Sequence, residues 1–287
     1  MPRGTLFAHD DDRRTSPVDP PRNAPGGPGW IRVITDGALP GPQDLAEAIT
    51  DPFADPDGDP YRTASRPGTA IARAELRPLP PTPGKVVCVG RNYRAHAAEL
   101  GNEVPTEPLL FFKPSSCLAV DGAALELPRG YERIDMEAEL VIVVGRRARK
   151  IDPQDAWQHV AGYTLGNDIS NRDLQKRDKQ WTRAKGFDGF GPVGPWLRMT
   201  PPGFVLPAAD IHIRGHLGGA VVQDAALSDM VFDVPAILAY ISATMTLFPG
   251  DLVFTGTPEG VSALRPGVTT SVDTTGFTLG TLTTPVV

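Results

Sequence analysis

The stretch YERIDMEAELVIVV, residues 131–144, sets Asp135, Glu137 and Glu139 two residues apart and then runs into an apolar segment. Side chains of an extended strand alternate between faces, so these three carboxylates share one face with Val141 and Val143. Like charges at that spacing repel, and a carboxylate in a dry interior needs a partner. Two arrangements satisfy the pattern: a solvated strand end, or a site completed by a divalent cation. A further acid strengthens the second. In GYTLGNDISNRD, Asp168 follows an apolar strand at a Gly-Asn break, where a loop or helix begins. Two Glu from one strand and an Asp from another segment make three hard oxygen ligands and leave positions for water or substrate, which suits Mg2+ or Mn2+. Zinc would want His or Cys, and neither HExxH nor CxxC spacing occurs.

Three more segments carry reactive side chains. In GRNYRAHAAEL, His96 and Glu99 stand three apart, so on a helical turn they share a face and can hydrogen-bond. A carboxylate-held histidine is a general base with a raised pKa, able to deprotonate water; a surface His beside a surface Glu has the same spacing. In QWTRAKGFDGFGPVGPWL, Lys185 lies in a Gly- and aromatic-rich loop, where its charge could neutralise a carboxylate or a developing oxyanion. In GDLVFTGTPEGV, a strand ends in a sharp turn whose amides and Thr257 hydroxyl could cradle a carboxylate, or form merely a turn. Nucleotide readings fail: the glycines at 186, 189, 191 and 194 do not join a strand to a helix, and PGKV has Val86 where a phosphate-binding loop needs Ser or Thr.

The elements that must position these groups are mostly strands. Short β-rich runs recur from Lys85 onward: VVCVG, LLFFK, ELVIVVG, GYTLGND, IHIRGHL and DLVFTGT. Two helices are predicted, one opened by Asp152-Pro153 before QDAWQHV, the other by Asp233 before VPAILAYISATMTL, with Ile237, Leu238, Ile241 and Met245 on one face. Strands without regular βα alternation argue against a doubly wound sheet and for an α+β, mostly β fold. Residues 1–29 are rich in Pro, Gly, Asp and Arg, without periodicity, and are expected to lack fixed structure. Residues 30–76 form a small N-terminal region with a strand at WIRVI and a helix at QDLAEAI, and a Pro-rich entry leads into a catalytic domain over 77–287.

Composition narrows the function classes. The 287 residues are 40% apolar and 22% charged, with a net charge of −6, which gives no reason to expect a nucleic-acid or anionic-membrane partner. ILAYISATMTLF is too short to span a bilayer, and the first residues lack the apolar core of a secretory signal. The two cysteines, Cys88 and Cys117, suggest no disulfide framework, so a cytoplasmic location is expected by default.

Taken together, the ordered segments CVGRNYRAHAAE, LLFFKPSS, MEAELVIVVGR, AGYTLGNDISNRDLQ, QWTRAKGFD, GPVGPW, SDMVF and TLFPGDLVFTGTPEGV resemble the fumarylacetoacetate hydrolase family over roughly residues 75–262. The resemblance implies a mixed β-roll core with a few short helices, a homodimer, and bound Mg2+ or Mn2+. By motif it implies Glu137, Glu139 and Asp168 as metal ligands, with Asp135 belonging to the strand end. It implies His96 and Glu99 as a water-activating pair on a lid segment, and Lys185 as the cation beside the metal. Arg91, Tyr93, Gln223 and Thr257 are then substrate contacts. The chain departs from the family pattern at Gly218-Gly219, where an Asn-Gly turn is usual, at Ser262 and Val268 in place of Gly and Asp, and at Asn171 and Gly189 in place of Ala and Thr. The expected activity is C–C hydrolysis of a 2,4-dioxo acid of the acylpyruvate type, releasing a pyruvate enolate. Oxaloacetate-type decarboxylation and isomerisation of a 2-hydroxy-diene acid are alternatives on the same site, and a catalytically inactive carboxylate-binding scaffold is a third.

Overall fold

The computed structural model describes residues 83–287 throughout and, ahead of them, the backbone of three short strands at 31–33, 45–48 and 70–72. The expectations for residues 1–29 and for the Pro-rich entry up to residue 82 lie outside the described residues.

The framework is a ten-stranded mixed sheet. It contains β1 (Ile31–Val33), β2 (Leu45–Ala48), β3 (Ala70–Ala72), β4 (Val86–Gly90), β5 (Leu109–Lys113), β6 (Leu118–Ala119), β8 (Ala138–Val144), β9 (Val160–Asn167), β11 (Gly191–Met199) and β14 (Leu252–Phe254). Their order is β3-β2-β1-β11-β9-β8-β14-β4-β5, with β6 paired to β11. A three-stranded sheet joins β7 (Ile134–Met136) to β10 (Ser170–Asn171) and β15 (Ser262–Ala263). A four-stranded sheet is built from β12 (His212–Leu217), β13 (Ala220–Ala226), β16 (Thr269–Thr275) and β17 (Thr281–Pro285). The mostly β architecture agrees with the sequence reading. The helix expected at QDLAEAI does not form: residues 45–48 are a strand hydrogen-bonded to β1 on one side and β3 on the other, so sheet pairing overrides helical propensity.

β8 carries the site, and its sequence explains how. Leu140, Ile142 and Val144 face the large core, whereas Val141 and Val143 face a smaller cluster with Val86, Cys88, Leu252 and Phe254. Both faces are therefore dry, and Glu139, on the Val141–Val143 side, is only 1% exposed. Close approach on that side needs Gly166 of β9, since a Cβ there would lie 2.4 Å from Phe254 and 2.6 Å from Val141.

Among the described residues there are four α-helices: α1 (Arg94–Glu99), α2 (Arg172–Arg177), α3 (Thr182–Lys185) and α4 (Val234–Thr244). The last is the helix the sequence predicts. The Asp233 side chain caps it by accepting from the Ala236 amide at 2.9 Å, and Ile237, Leu238 and Ile241 are buried. Met245 lies just past its end. The segment predicted after Asp152 is a 3-10 helix, Pro153–His159, without a side-chain cap bond. Among the described residues, no helix is long and apolar enough to cross a membrane.

Candidate active site

The acid cluster sits where β7 gives way to β8. Glu137 falls in the break between them. Its amide donates to the Asn167 side chain at 2.9 Å, and its carbonyl accepts from the Asp168 amide at 2.9 Å. These two bonds clamp the end of β9 against the start of β8 and bring Asp168 beside the glutamates. One oxygen each from Glu137, Glu139 and Asp168 lies within 4.8 Å of the others, and all three residues are buried. The donor set is all hard oxygen and enclosed, so it fits a divalent cation such as Mg2+ or Mn2+.

Asp135 does not join this group. It accepts from Arg172 Nε at 2.8 Å and from Arg133 Nε at 2.9 and 3.1 Å, fully buried within β7. The other acids differ in their compensation. Glu137 faces Lys185 Nζ at 2.7 Å and Arg172 Nη2 at 2.6 Å. Asp168 faces Lys185 Nζ at 2.6 Å and Lys113 Nζ at 2.6 Å. Burial works against the Glu137 charge, yet Lys185 and Arg172 together hold its carboxyl well below the usual range. Among the described residues, Glu139 accepts from the Gly256 amide alone, at 2.7 Å. Burial, then the charges of Asp168 and Glu137, push its carboxyl well above the usual range. Glu139 is thus the carboxylate whose charge a bound cation would balance. Gly256 delivers its amide at φ +99°, and a Cβ there would stand 2.6 Å from Asn92, so the contact depends on glycine.

Glu137, Glu139, Asp168, Lys185, Arg133 and Arg172 line a cavity of about 290 Å³. His96 of α1 enters from the side, 4% exposed, with Nδ1 3.3 Å from Glu99. The Glu99 carboxylate also accepts from the Gly260 amide at 3.1 and 3.2 Å, linking α1 to the turn after β14. The raised histidine pKa expected from the sequence is corrected. Burial dominates and lowers it, outweighing the opposing pull of Glu137 and Glu99, so the imidazole is held neutral.

Of the remaining predicted residues, Arg91 and Thr257 line the cavity, Arg91 with a left-handed backbone at φ 57°. Tyr93 does not. It is buried and faces a second cavity lined by Asp229 and Glu259. Gln223 also stands back, because its amide is fully engaged. Its Oε1 accepts from the Ala138 amide at 2.9 Å, while Nε2 donates to Thr257 Oγ1 and the Pro258 carbonyl, each at 2.8 Å. It ties the start of β8 to the Thr257 turn. The sequence reading passes over Lys113, Arg172, Gln175 and Lys176. Arg172, Gln175 and Lys176 line the cavity, and the available signals were a lysine closing the apolar run LLFFK and the basic turn after GNDIS.

Of the departures from the family pattern, Asn171 caps the helix that carries Arg172, whereas Gly218-Gly219, Ser262 and Val268 do not line the cavity. Gly218 and Gly219, at φ 59° and 84°, make the two-residue turn of the β12–β13 hairpin, as Asn-Gly would. Ser262 pairs with Met136 in the small sheet, and Val268 lies in the turn after Arg265.

Residues 85–287 match the family described as fumarylacetoacetate (FAA) hydrolase C-terminal. The chain is 43% identical to the protein Rv2993c of Mycobacterium tuberculosis, over 79% of this chain and 85% of that one. It is 39% identical to a mitochondrial oxaloacetate tautomerase of Arabidopsis thaliana (67% and 87% covered) and 40% identical to a mitochondrial oxaloacetate decarboxylase of Dictyostelium discoideum (67% and 89%). Among solved structures, a 5-carboxymethyl-2-hydroxymuconate delta-isomerase from Mycobacterium smegmatis superposes with a TM-score of 0.74 at 35% identity, covering 90% of this chain and 94% of that one. A 2-hydroxyhepta-2,4-diene-1,7-dioate isomerase from Mycobacterium marinum superposes with a TM-score of 0.70 at 39% identity, covering 86% and 88%. The chain belongs to the fumarylacetoacetate hydrolase family.

Proposed function

We propose that this member of the fumarylacetoacetate hydrolase family is a divalent-cation-dependent enzyme that interconverts the keto and enol forms, or shifts the double bond, of a dicarboxylic 2-oxo acid. The observation that carries the reading is the cluster of Glu137, Glu139 and Asp168 on the wall of a cavity that also holds a neutral histidine and several cationic side chains. When bound, Mg2+ or Mn2+ supplies Lewis-acid stabilisation of negative charge on the substrate's 2-oxygen. Glu137, Glu139 and Asp168 would hold it.

The chain's own residues do the rest. Lys185 presents an ammonium beside the acids, suited to compensating a developing enolate. His96, kept neutral by burial, takes a proton at the free ring nitrogen and returns it, while Glu99 orients the ring through Nδ1. Arg91 and Lys176, on the same cavity as Arg133 and Arg172, which already pair with Asp135 and Glu137, give it a cationic wall that matches a second carboxylate better than an apolar acyl tail. The relatives point the same way, since the oxaloacetate and the diene-1,7-dioate in their names are both diacids. This supports enolate chemistry on a diacid, with tautomerisation, isomerisation and decarboxylation sharing the charge-stabilising step, ahead of acylpyruvate hydrolysis.

Hydrolysis stays as the second reading because the His96–Glu99 pair beside the cavity could also activate water. We also read the chain as a homodimer, for which the edge strand β5, with Leu109 and Phe112 exposed, offers a pairing face. The test of function gives metal-stripped protein enol-oxaloacetate, oxaloacetate, a 2-hydroxy-diene-dioate and acetylpyruvate in turn, with and without Mg2+. Mg2+-dependent turnover of a diacid supports the proposal; turnover confined to acetylpyruvate, with pyruvate released, replaces it with hydrolysis.

A further inference from the structure

We infer that Lys113 is a positioning residue for the cation site: it takes one oxygen of Asp168 out of ligation and fixes the backbone of Lys185. The inference rests on the reading of Glu137, Glu139 and Asp168 as cation ligands.

The placement of Lys113 is unusual for its element. β5 is an edge strand whose exposed or half-exposed residues are the apolar ones, Leu109 to Phe112, whereas its lysine is 2% exposed. A buried ammonium is tolerated only when fully paired. Lys113 Nζ lies 2.6 Å from Asp168 Oδ1 and 2.5 Å from the Lys185 carbonyl oxygen, so both bonds lead to the site. It does not line the cavity itself.

The consequence for Asp168 is a division of labour between its oxygens. Oδ1 accepts from Lys113. Oδ2 accepts from Lys185 Nζ, which at the same time reaches Glu137 Oε2 at 2.7 Å. Oδ2 is therefore the oxygen on the glutamate side, and Asp168 is restricted to offering a single oxygen there. The second bond acts on Lys185, the last residue of the four-residue helix α3. That helix is too short to hold its own end rigidly, and the Lys113 ammonium secures its final carbonyl. Neighbouring residues are shaped to allow this. A Cβ at Gly186 would meet Pro114 at 3.1 Å, and a Cβ at Gly191 would stand 3.2 Å from Lys113 Cε and 2.9 Å from Cys117 Sγ.

The experiment measures Mn2+ binding to metal-stripped wild type, Lys113→Met and Lys113→Gln by calorimetry, with water-proton relaxation of the bound ion. The expected result is a Kd shifted about 10- to 100-fold in Lys113→Met, the usual size of effect of removing a group that orients a ligand. Relaxivity should fall as well, because the freed Oδ1 takes a position otherwise held by water. Lys113→Gln, which keeps a donor without the charge, should recover part of both. Should Lys113→Met fail to fold, Gly191→Ala crowds the lysine stem without removing its charge and should shift both readouts in the same direction by less. Unchanged affinity and relaxivity in the folded variants overturns the role of Lys113. A wild type that binds no Mn2+ overturns the cation reading on which it rests.

Discussion

The two walls of the cavity are built on opposite principles. The acid wall is over-determined: Glu137 and Asp168 each contact two buried cations, and the backbones of Glu137 and Asp168 are cross-tied through Asn167. The histidine wall is a single six-residue helix, and Asn92 and Tyr93 anchor the chain ahead of it. Beyond that entry its tie to the site is Glu99 reaching the Gly260 amide, with the Glu99 side chain one-third exposed and the 3.3 Å His96–Glu99 contact lying within the helix itself. A rigid wall suits charge stabilisation, where preorganised groups lose no energy in rearranging. A lightly tethered wall suits a group that must approach, move a proton and retreat. If so, damage to the two walls should separate in kind as well as size.

The largest effect is expected from Glu139→Gln. Metal-dependent turnover should fall by about 10³-fold or more, in line with the several kcal/mol that Lewis-acid stabilisation contributes. Yet the metal-free variant should be more stable than metal-free wild type, because burial and the neighbouring acids outweigh the pull of Lys185 and make a charge on Glu139 costly. A gain of about 1 kcal/mol would raise Tm by about 2–4 °C, read by calorimetry in chelator. A metal-free variant that melts lower would show that Glu139 is already well compensated.

His96→Ala comes next. Isomerisation should drop about 10²- to 10⁴-fold, the usual share of general acid–base catalysis, while Mn2+ affinity stays near wild type. Oxaloacetate decarboxylation, which needs no base, should survive. An equal loss of both activities would couple the walls more tightly than their contacts suggest. Glu99→Gln should be milder, about tenfold in kcat, since it weakens only the orientation of the ring.

The smallest effect is on pH. Burial lowers the His96 pKa below 6.5, so the base form persists past that point and the acid limb of kcat/KM should lie below pH 6.5. By linkage, the folded state binds fewer protons here than the unfolded one. The stability linked to this group is therefore present above pH 6.5 and lost as pH falls through the folded pKa. An acid limb above pH 6.5 would show that the Glu99 contact outweighs burial.

The contrast also explains what the sequence disclosed. Glu137 and Glu139 were legible because two-residue spacing in an apolar strand fixes their face, and Asp168 because a Gly-Asn break ends its strand. Asp135 shares that spacing but not that role. Its partner Arg172 comes from a helix capped by Asn171, and no periodicity in β7 announces it. Lys113 was hidden for the same reason, since its two partners lie 55 and 72 residues away. Tyr93 and His96 are three apart in one segment, yet only the histidine reaches the cavity, because Tyr93 precedes the helix in extended conformation. Local pattern thus locates acids on a strand and picks out Lys185, which the fold brings to them, but not Lys113 or Arg172, nor the class of reaction they serve.

The most direct test of the central claim follows Mg2+-dependent conversion of enol-oxaloacetate by metal-stripped wild type, watching loss of enol absorbance before any pyruvate forms. The account predicts no conversion above background without Mg2+, restoration on its addition, and no restoration in Glu139→Gln. Conversion that is indifferent to Mg2+ and intact in Glu139→Gln would contradict it.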